Sequence, residues 1–315
     1  MDTIRPLLTM LLPILVTLGL GVIIRKTALL SREGIDALKK VVTRVTLPFV
    51  VFQAFYAMDY SVDALVTTLL VLAVCLVLFA LGYLFQKRFA HITSLLPFTL
   101  SGFEMGMLGY PLYLVMAGQT HMGKMAMSDL GQVVFVFTVY LFMLRRQTGQ
   151  AQSPGKAGMD ALKNPVLIAV ALGLLVGVTG LGQWMRGTPA GEAVDAVCGF
   201  VSAPTAVLIL LTIGYDLVFE PRMLKHAGLV VLLRLVLVGL VGGAMCLLLF
   251  RVIPFDPWLL LAILLMLSLP APFILPVYSQ TRAEAEFVSV YLSLGTLVFV
   301  VLYAALLFLK PVITG

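Results

Sequence analysis

Charge is what this sequence has least of. Of its 315 residues only 11% are Asp, Glu, Lys or Arg, while 61% are hydrophobic, a proportion that no water-soluble domain of this length can hide in one core. The chain therefore reads as an all-α polytopic membrane protein. Cysteine and histidine are scarce too. Cys75, Cys198 and Cys246 all fall inside apolar runs without metal-ligand spacing, and His91, His121 and His226 fall in loops or at helix ends, so small buried thiols and solvated imidazoles account for them. Neither Gly-x-Ser-x-Gly nor His-Glu-x-x-His occurs, and no aspartate pair sits on facing spans. An intramembrane enzyme is thus not indicated, and no catalytic residue, cofactor or metal is expected. No signalling or ligand-binding domain accompanies the apolar runs, which argues against a receptor. The net charge of +6 is scattered in short groups between those runs, a pattern of membrane topology rather than of nucleic-acid binding.

A bilayer core takes about 20 apolar residues per helix. On that rule ten spans are expected, near 6–24, 38–58, 62–85, 92–118, 122–144, 164–182, 193–218, 225–250, 257–280 and 284–309. The first is too long for a signal peptide and has no small-residue cleavage site after it. Fourteen lysines and arginines fall in the loops that follow odd-numbered spans, including Arg25, Lys26, Arg32, Lys39 and Lys40. Only five, Arg5, Lys124, Arg186, Arg251 and Lys310, fall on the opposite side. The positive-inside rule then puts the odd loops in the cytosol and both termini outside it, in a bacterial cytoplasmic membrane. The polar, glycine-containing stretch 149–163 divides the chain into 1–148 and 164–315, each with five spans. Because five is odd, the two halves face opposite ways, and an inverted repeat becomes available. Leu47-Pro48 in span 2 is matched by Ala203-Pro204 in span 7.

Two stretches cannot be ordinary membrane helix. Ser101-Gly-Phe-Glu-Met-Gly-Met-Leu-Gly-Tyr-Pro111 puts a glutamate, three glycines and a proline in the middle of span 4, and Ser268-Leu-Pro-Ala-Pro-Phe-Ile-Leu-Pro276 holds three prolines in span 9. Pro111, Pro270, Pro272 and Pro276 each lack an amide hydrogen, and Gly106 and Gly109 let the backbone leave helical angles. Both helices are expected to break, and freed backbone groups at membrane depth need partners from protein or water. Two opposed helix amino termini at one depth would suit an anion. Glu104, at the midplane, is costly when ionised unless it is paired, hydrated or protonated. Asp129 with Gln132 in the outer third of span 5 either reaches the crossing or hydrates at the surface. Tyr110, Tyr278 and Gln280 offer further hydrogen bonds. Arg234 either snorkels or pairs with a substrate carboxylate or an internal acid, while Arg44 reads as an anchor and Asp216 as interfacial.

The sequence resembles the auxin efflux carrier family, which includes bacterial malate and malonate permeases. The resemblance runs over essentially the whole chain, through Leu12-Pro-Ile-Leu-Val-Thr-Leu-Gly19 with Arg25-Lys26, Leu47-Pro-Phe-Val-Val-Phe52 and Leu108-Gly-Tyr-Pro111. It continues in Asn164-Pro165, Ala203-Pro204 with Gly214, and Glu284-Ala-Glu-Phe287. It implies a ten-helix fold like that of sodium/proton antiporters and bile-acid symporters, with broken spans 4 and 9 crossing at mid-membrane. Spans 1, 2, 6 and 7 would form a scaffold, commonly a homodimer, against which spans 3–5 and 8–10 move as a transport unit, like an elevator. Glu104 stands where that family usually has asparagine. The function implied is alternating-access transport of a small organic anion such as a dicarboxylate, with a proton or sodium ion as coupling partner. A cation/proton antiporter or a sodium-coupled organic anion symporter of similar fold stands beside it.

Overall fold

A computed structural model describes residues 4–149, 155, 159, 163–185 and 187–315. Most of the expected linker 149–163, with Lys156, lies outside the described residues, as does Arg186. The described chain is helical throughout, in the order α1 (Ile4–Thr27), α2 (Arg32–Val41), α3 (Leu47–Tyr56), α4 (Val62–Phe89), α5 (Leu96–Leu100), α6 (Tyr110–Ala117), α7 (Met122–Phe135) and α8 (Leu141–Gln147). It continues with α9 (Pro165–Val178), α10 (Leu181–Met185), α11 (Pro189–Ser202), α12 (Thr205–Asp216), α13 (Pro221–Val252), α14 (Pro257–Ser268) and α15 (Arg282–Thr314). Five helical runs, Val62–Phe89, Gln119–Gln147, Pro189–Asp216, Pro221–Val252 and Arg282–Thr314, are long and apolar enough to cross a membrane by length and composition.

Of the other expected spans, the first is the unbroken α1 and the sixth the shorter apolar α9, while spans 2, 4 and 9 are interrupted for local reasons. Pro48 at the start of α3 withholds an amide, and the preceding turn widens into a π-turn over Val42–Thr46, so that α2 and α3 form one run with a bulge. Spans 4 and 9 break where proline and glycine concentrate. Helices that start at the ends of the molecule open on side-chain caps: Ser31, Ser61, Asn164, Thr188, Asp256 and Thr281 each accept an amide of the first turn.

Polarity is arranged from the inside outward. Large apolar side chains such as Phe200 (85% exposed), Trp184 and Leu247 face out, while Thr99, Ser101, Asp129, Gln132 and Arg234 are buried. That is the distribution expected where the surroundings are apolar and polar groups must find partners within the protein.

Two packing groups meet along the chain. In the first, α1 lies along α12, and α3 along α9 and α11; in the second, α4 carries α5, α7 and α13, with α14 against α7 and α15. The groups touch where α3 meets α7. At the α1–α12 crossing Gly21 faces Gly214, so closely that a Cβ on Gly214 would stand 2.1 Å from the Leu18 carbonyl oxygen. One end of the molecule is tied by Asp216, which pairs with Arg32 and Lys39, and by Arg25, which donates to the carbonyls of Tyr215 and Leu217. The opposite end is tied by the Lys124–Asp256 pair at 2.7 Å, by His121 stacked on Trp258, and by Lys310 donating to the Met116 carbonyl.

Candidate functional site: the crossing of two interrupted helices

From the Asp216 end, α5 enters for one turn and stops at Leu100. Ser101 is extended, Gly102 takes a left-handed φ of +68°, and a π-turn over Met105–Gly109 leads into α6, with Pro111 in its first turn. Gly102 earns its place twice, since a side chain there would be strained and a Cβ would stand 3.1 Å from the Pro272 ring. From the opposite end, α14 enters and stops at Ser268. Leu269 is extended, and only a single 3₁₀ turn over Leu275–Tyr278 precedes α15. The expectation of two opposed half-helix amino termini is corrected here. Pro270, Pro272 and Pro276 remove too many amides for a second half-helix to form after the break.

The broken stretches touch through backbone, the Glu104 amide donating to the Pro270 carbonyl at 3.0 Å. Two charged side chains then satisfy the groups that the breaks set free. The Glu104 carboxylate accepts from the Met107 amide at 3.1 Å with one oxygen and from the Phe273 amide at 2.6 Å with the other. Arg234, 6% exposed on α13, donates to the carbonyls of Thr99 (2.8 Å), Gly102 (2.7 Å) and Leu269 (3.2 Å). Its guanidinium lies 5.0 Å from the centre of the Phe103 ring. An acid thus holds freed amides of both stretches, and a base holds freed carbonyls of both, where the carbonyl ends of α5 and α14 carry partial negative charge. Amides of the two broken stretches do converge, and the chain's own carboxylate occupies them. Arg234 bonds backbone rather than an acid.

Asp129, on α7, does reach the crossing. It is 4% exposed; its Oδ2 accepts from the Tyr110 hydroxyl at 2.9 Å, and its Oδ1 faces Gln132 Nε2 at 3.4 Å. Gln132 also donates from Nε2 to the Phe103 carbonyl at 2.8 Å, and its Oε1 is buried with no partner among the described residues. Glu104, Gly106, Tyr110, Asp129, Gln132 and Pro272 line one cavity of about 240 Å³. A second cavity of about 240 Å³ is lined by Met107, Phe273 and Pro276 together with Arg32, Lys39 and Asp216. The amides that Glu104 holds belong to residues on the wall of the second cavity, while Glu104 itself lines the first. Gly109 packs between Met125 and Leu269, and Pro111 is buried in the first turn of α6.

Tyr278 and Gln280 are not brought to the crossing. The Tyr278 hydroxyl accepts from Arg145 Nε at 3.3 Å, and Gln280 donates to the Gln147 carbonyl at 3.0 Å, both near the Asp216 end. Arg44, His91 and His226 are exposed. A carboxylate not singled out as functional is Glu284, which accepts from the Ser94 amide and hydroxyl, the Thr93 hydroxyl and the Gln280 amide. It fastens the loop before α5 to the start of α15. Its motif position was visible, but its Ser94 partner lies 190 residues away in the chain.

Fold and site together define a multi-pass, all-helical membrane protein with a polar centre where two interrupted helices cross. The chain is similar to a protein of Methanothermobacter thermautotrophicus named an uncharacterized transporter, with 25% identity over 223 residues, or 69% of each chain. No family model matches the sequence.

Proposed function

We propose that the protein is a secondary active transporter of a small organic anion of the dicarboxylate class, coupled to protons through Glu104. The observation that carries this is the Glu104 carboxylate itself, bonded to amides of both broken stretches at the boundary of two cavities. An ionised Glu104 fills the amide pair. Protonation removes the charge that holds it there and would otherwise repel an anion, so a substrate carboxylate can take the amides of Met107 and Phe273 in its place. Proton and anion then move together, and deprotonation on the far side expels the substrate. The naming of the similar protein as a transporter supports the general function.

The architecture we propose is the ten-span inverted repeat with halves 1–148 and 164–315, akin to the auxin efflux carrier family. Spans 1, 2, 6 and 7 serve as a scaffold, dimeric through those helices, in a bacterial cytoplasmic membrane with the Asp216 end in the cytosol. The separate packing of α1, α3, α9, α11 and α12 supports this division. In liposomes the Glu104→Gln variant should exchange labelled dicarboxylate with no accumulation driven by a pH gradient, and Glu104→Ala should lose both. If Glu104→Gln still concentrates substrate under an imposed pH gradient, the coupling residue lies elsewhere.

A second reading, a cation/proton antiporter, is favoured by the first cavity, which is lined by two carboxylates and, among the described residues, by no lysine, arginine or histidine. It predicts sodium-dependent pH change in liposomes without any organic solute. A thermal-shift screen of dicarboxylates, monocarboxylates and indole acids separates the two, since only an anion carrier is stabilised by such ligands.

A further inference from the structure

We infer that Asp129 and Gln132 form a binding site for an alkali cation of the sodium class, separate from the proton proposed for Glu104. This goes beyond the proposed proton coupling and rests on that reading only for its use in transport; binding itself is measurable without any substrate. The first ground is charge. Both Asp129 oxygens act as acceptors, Oδ2 from the Tyr110 hydroxyl at 2.9 Å and Oδ1 facing Gln132 Nε2 at 3.4 Å, an arrangement that suits the ionised carboxylate. The described residues lining the cavity include no basic side chain to balance it. Arg234, the buried base at the crossing, is committed to three carbonyls. A buried carboxylate without a cation is strongly disfavoured.

The second ground is the amide. Gln132 is 4% exposed and its Oε1 has no hydrogen-bond partner among the described residues. The amide cannot be turned over to relieve this, because Nε2 donates to the Phe103 carbonyl at 2.8 Å, and a flip would set oxygen against oxygen. One helical turn separates the residues on α7, so the orphan Oε1 and the weakly engaged Asp129 Oδ1 come from neighbouring side chains. A carboxylate and a neutral carbonyl oxygen are the hard donors that alkali and alkaline-earth ions select. A single charge matches Asp129, since Glu104, the other carboxylate on this cavity, is held by the Met107 and Phe273 amides, and a proton on Asp129 would leave the amide oxygen unfilled because Gln132 presents its NH₂ to Oδ1.

The test is thermal unfolding of the purified full-length protein at pH 8 in sodium chloride against choline chloride at equal ionic strength. Sodium should raise the melting temperature saturably, with an apparent affinity that weakens as pH is lowered and protons compete for Asp129. The neutral isostere Asp129→Asn should melt in choline no lower than the wild type, having no buried charge left uncompensated, and show at least tenfold weaker sodium stabilisation. Glu104→Gln should keep the sodium response, which distinguishes this site from the proposed proton site. If Asp129→Asn fails to fold, the sodium and pH titrations of the wild type decide the matter. Equal melting in sodium and choline overturns the inference, as does an undiminished sodium response in Asp129→Asn. Sodium binding without organic anion uptake would sink the proposed substrate class and leave the cation site standing.

Discussion

Glu104 and Arg234 divide between them the work that water does at an ordinary helix end. Each broken stretch leaves amides and carbonyls without helical partners, and one carboxylate and one guanidinium supply them. The planar fork of arginine reaches three carbonyls, which a lysine point charge could not satisfy in the same geometry. Arg234→Met should therefore strip the donor from the buried Gly102 and Leu269 carbonyls, while the Thr99 carbonyl keeps the Tyr291 hydroxyl, and destabilise the protein by about 2 kcal/mol or more, with Arg234→Lys falling between it and the wild type. Melting curves in detergent check this, and an Arg234→Met protein as stable as wild type would mean the clamp is dispensable. At the opposite end Asp256 caps α14 and pairs with Lys124. Burial works against its charge, but Lys124 and the amides of Leu259 and Trp258 outweigh that effect and hold its carboxyl below the ordinary value. A depressed carboxylate contributes its stability above the unfolded value and loses it as pH falls through the folded one. Asp256→Asn, which keeps the cap but loses the ion pair with Lys124, should thus cost about 0.5 kcal/mol at pH 7, and the difference from wild type should shrink below about pH 4. A difference that stays constant down to acid pH would show that the charge contributes nothing.

The two breaks were legible because their causes are local: glycine and proline act on their own turn, so Ser101–Pro111 and Ser268–Pro276 announce themselves in the sequence. The path of the chain beyond each break is set at longer range. The 3₁₀ turn over Leu275–Tyr278, in place of a second half-helix, reflects three prolines acting together. The capture of the Met107 and Phe273 amides by Glu104 joins residues 169 positions apart in one of its two bonds, and Arg234 finds its carbonyls 132 and 135 positions away. No periodicity records such pairings. Asp129 was open between crossing and surface for the same reason: its register on α7 is set by α4 and α14, which flank it. Tyr278 and Gln280 read in the sequence only as further hydrogen-bonding groups, and the short 3₁₀ turn carries them toward the Asp216 end. The breaks themselves can be tested as elements. Pro272→Ala restores an amide donor inside the opened stretch, and Pro111→Ala restores one where the π-turn over Met105–Gly109 passes into α6, so the local helix can tighten and draw Phe273 or Met107 away from Glu104. Transport should fall by more than folded yield in both variants. Normal uptake rates in both would show that the opened backbone is not part of the site.

At the scale of the whole molecule, the basic residues and the tertiary contacts describe the same two ends. Arg25, Arg32, Lys39 and Arg145 gather with Asp216, Ser94 and Gln280 at one end, while Lys124, Lys310, Asp256 and Trp258 meet at the other. Helices entering from opposite ends bring α5 and α14 to a common centre, and only a bundle whose ends are distinguished by charge can hold such a crossing in one orientation across a bilayer. Lysine and arginine are retained on the cytosolic side during insertion, so the end that holds Asp216 should face the cytosol and the carboxyl terminus should lie outside. Three native cysteines bear on how this is measured. Cys75 and Cys198 are buried and Cys246 is half-buried within α13, so an impermeant thiol reagent should label the unmodified protein little. A cysteine placed at Gly155 should then stay unlabelled in intact cells and react after permeabilisation, while one at Gly315 should react in both conditions. The opposite pattern would invert the proposed orientation, and with it the side from which the proposed coupling would load Glu104.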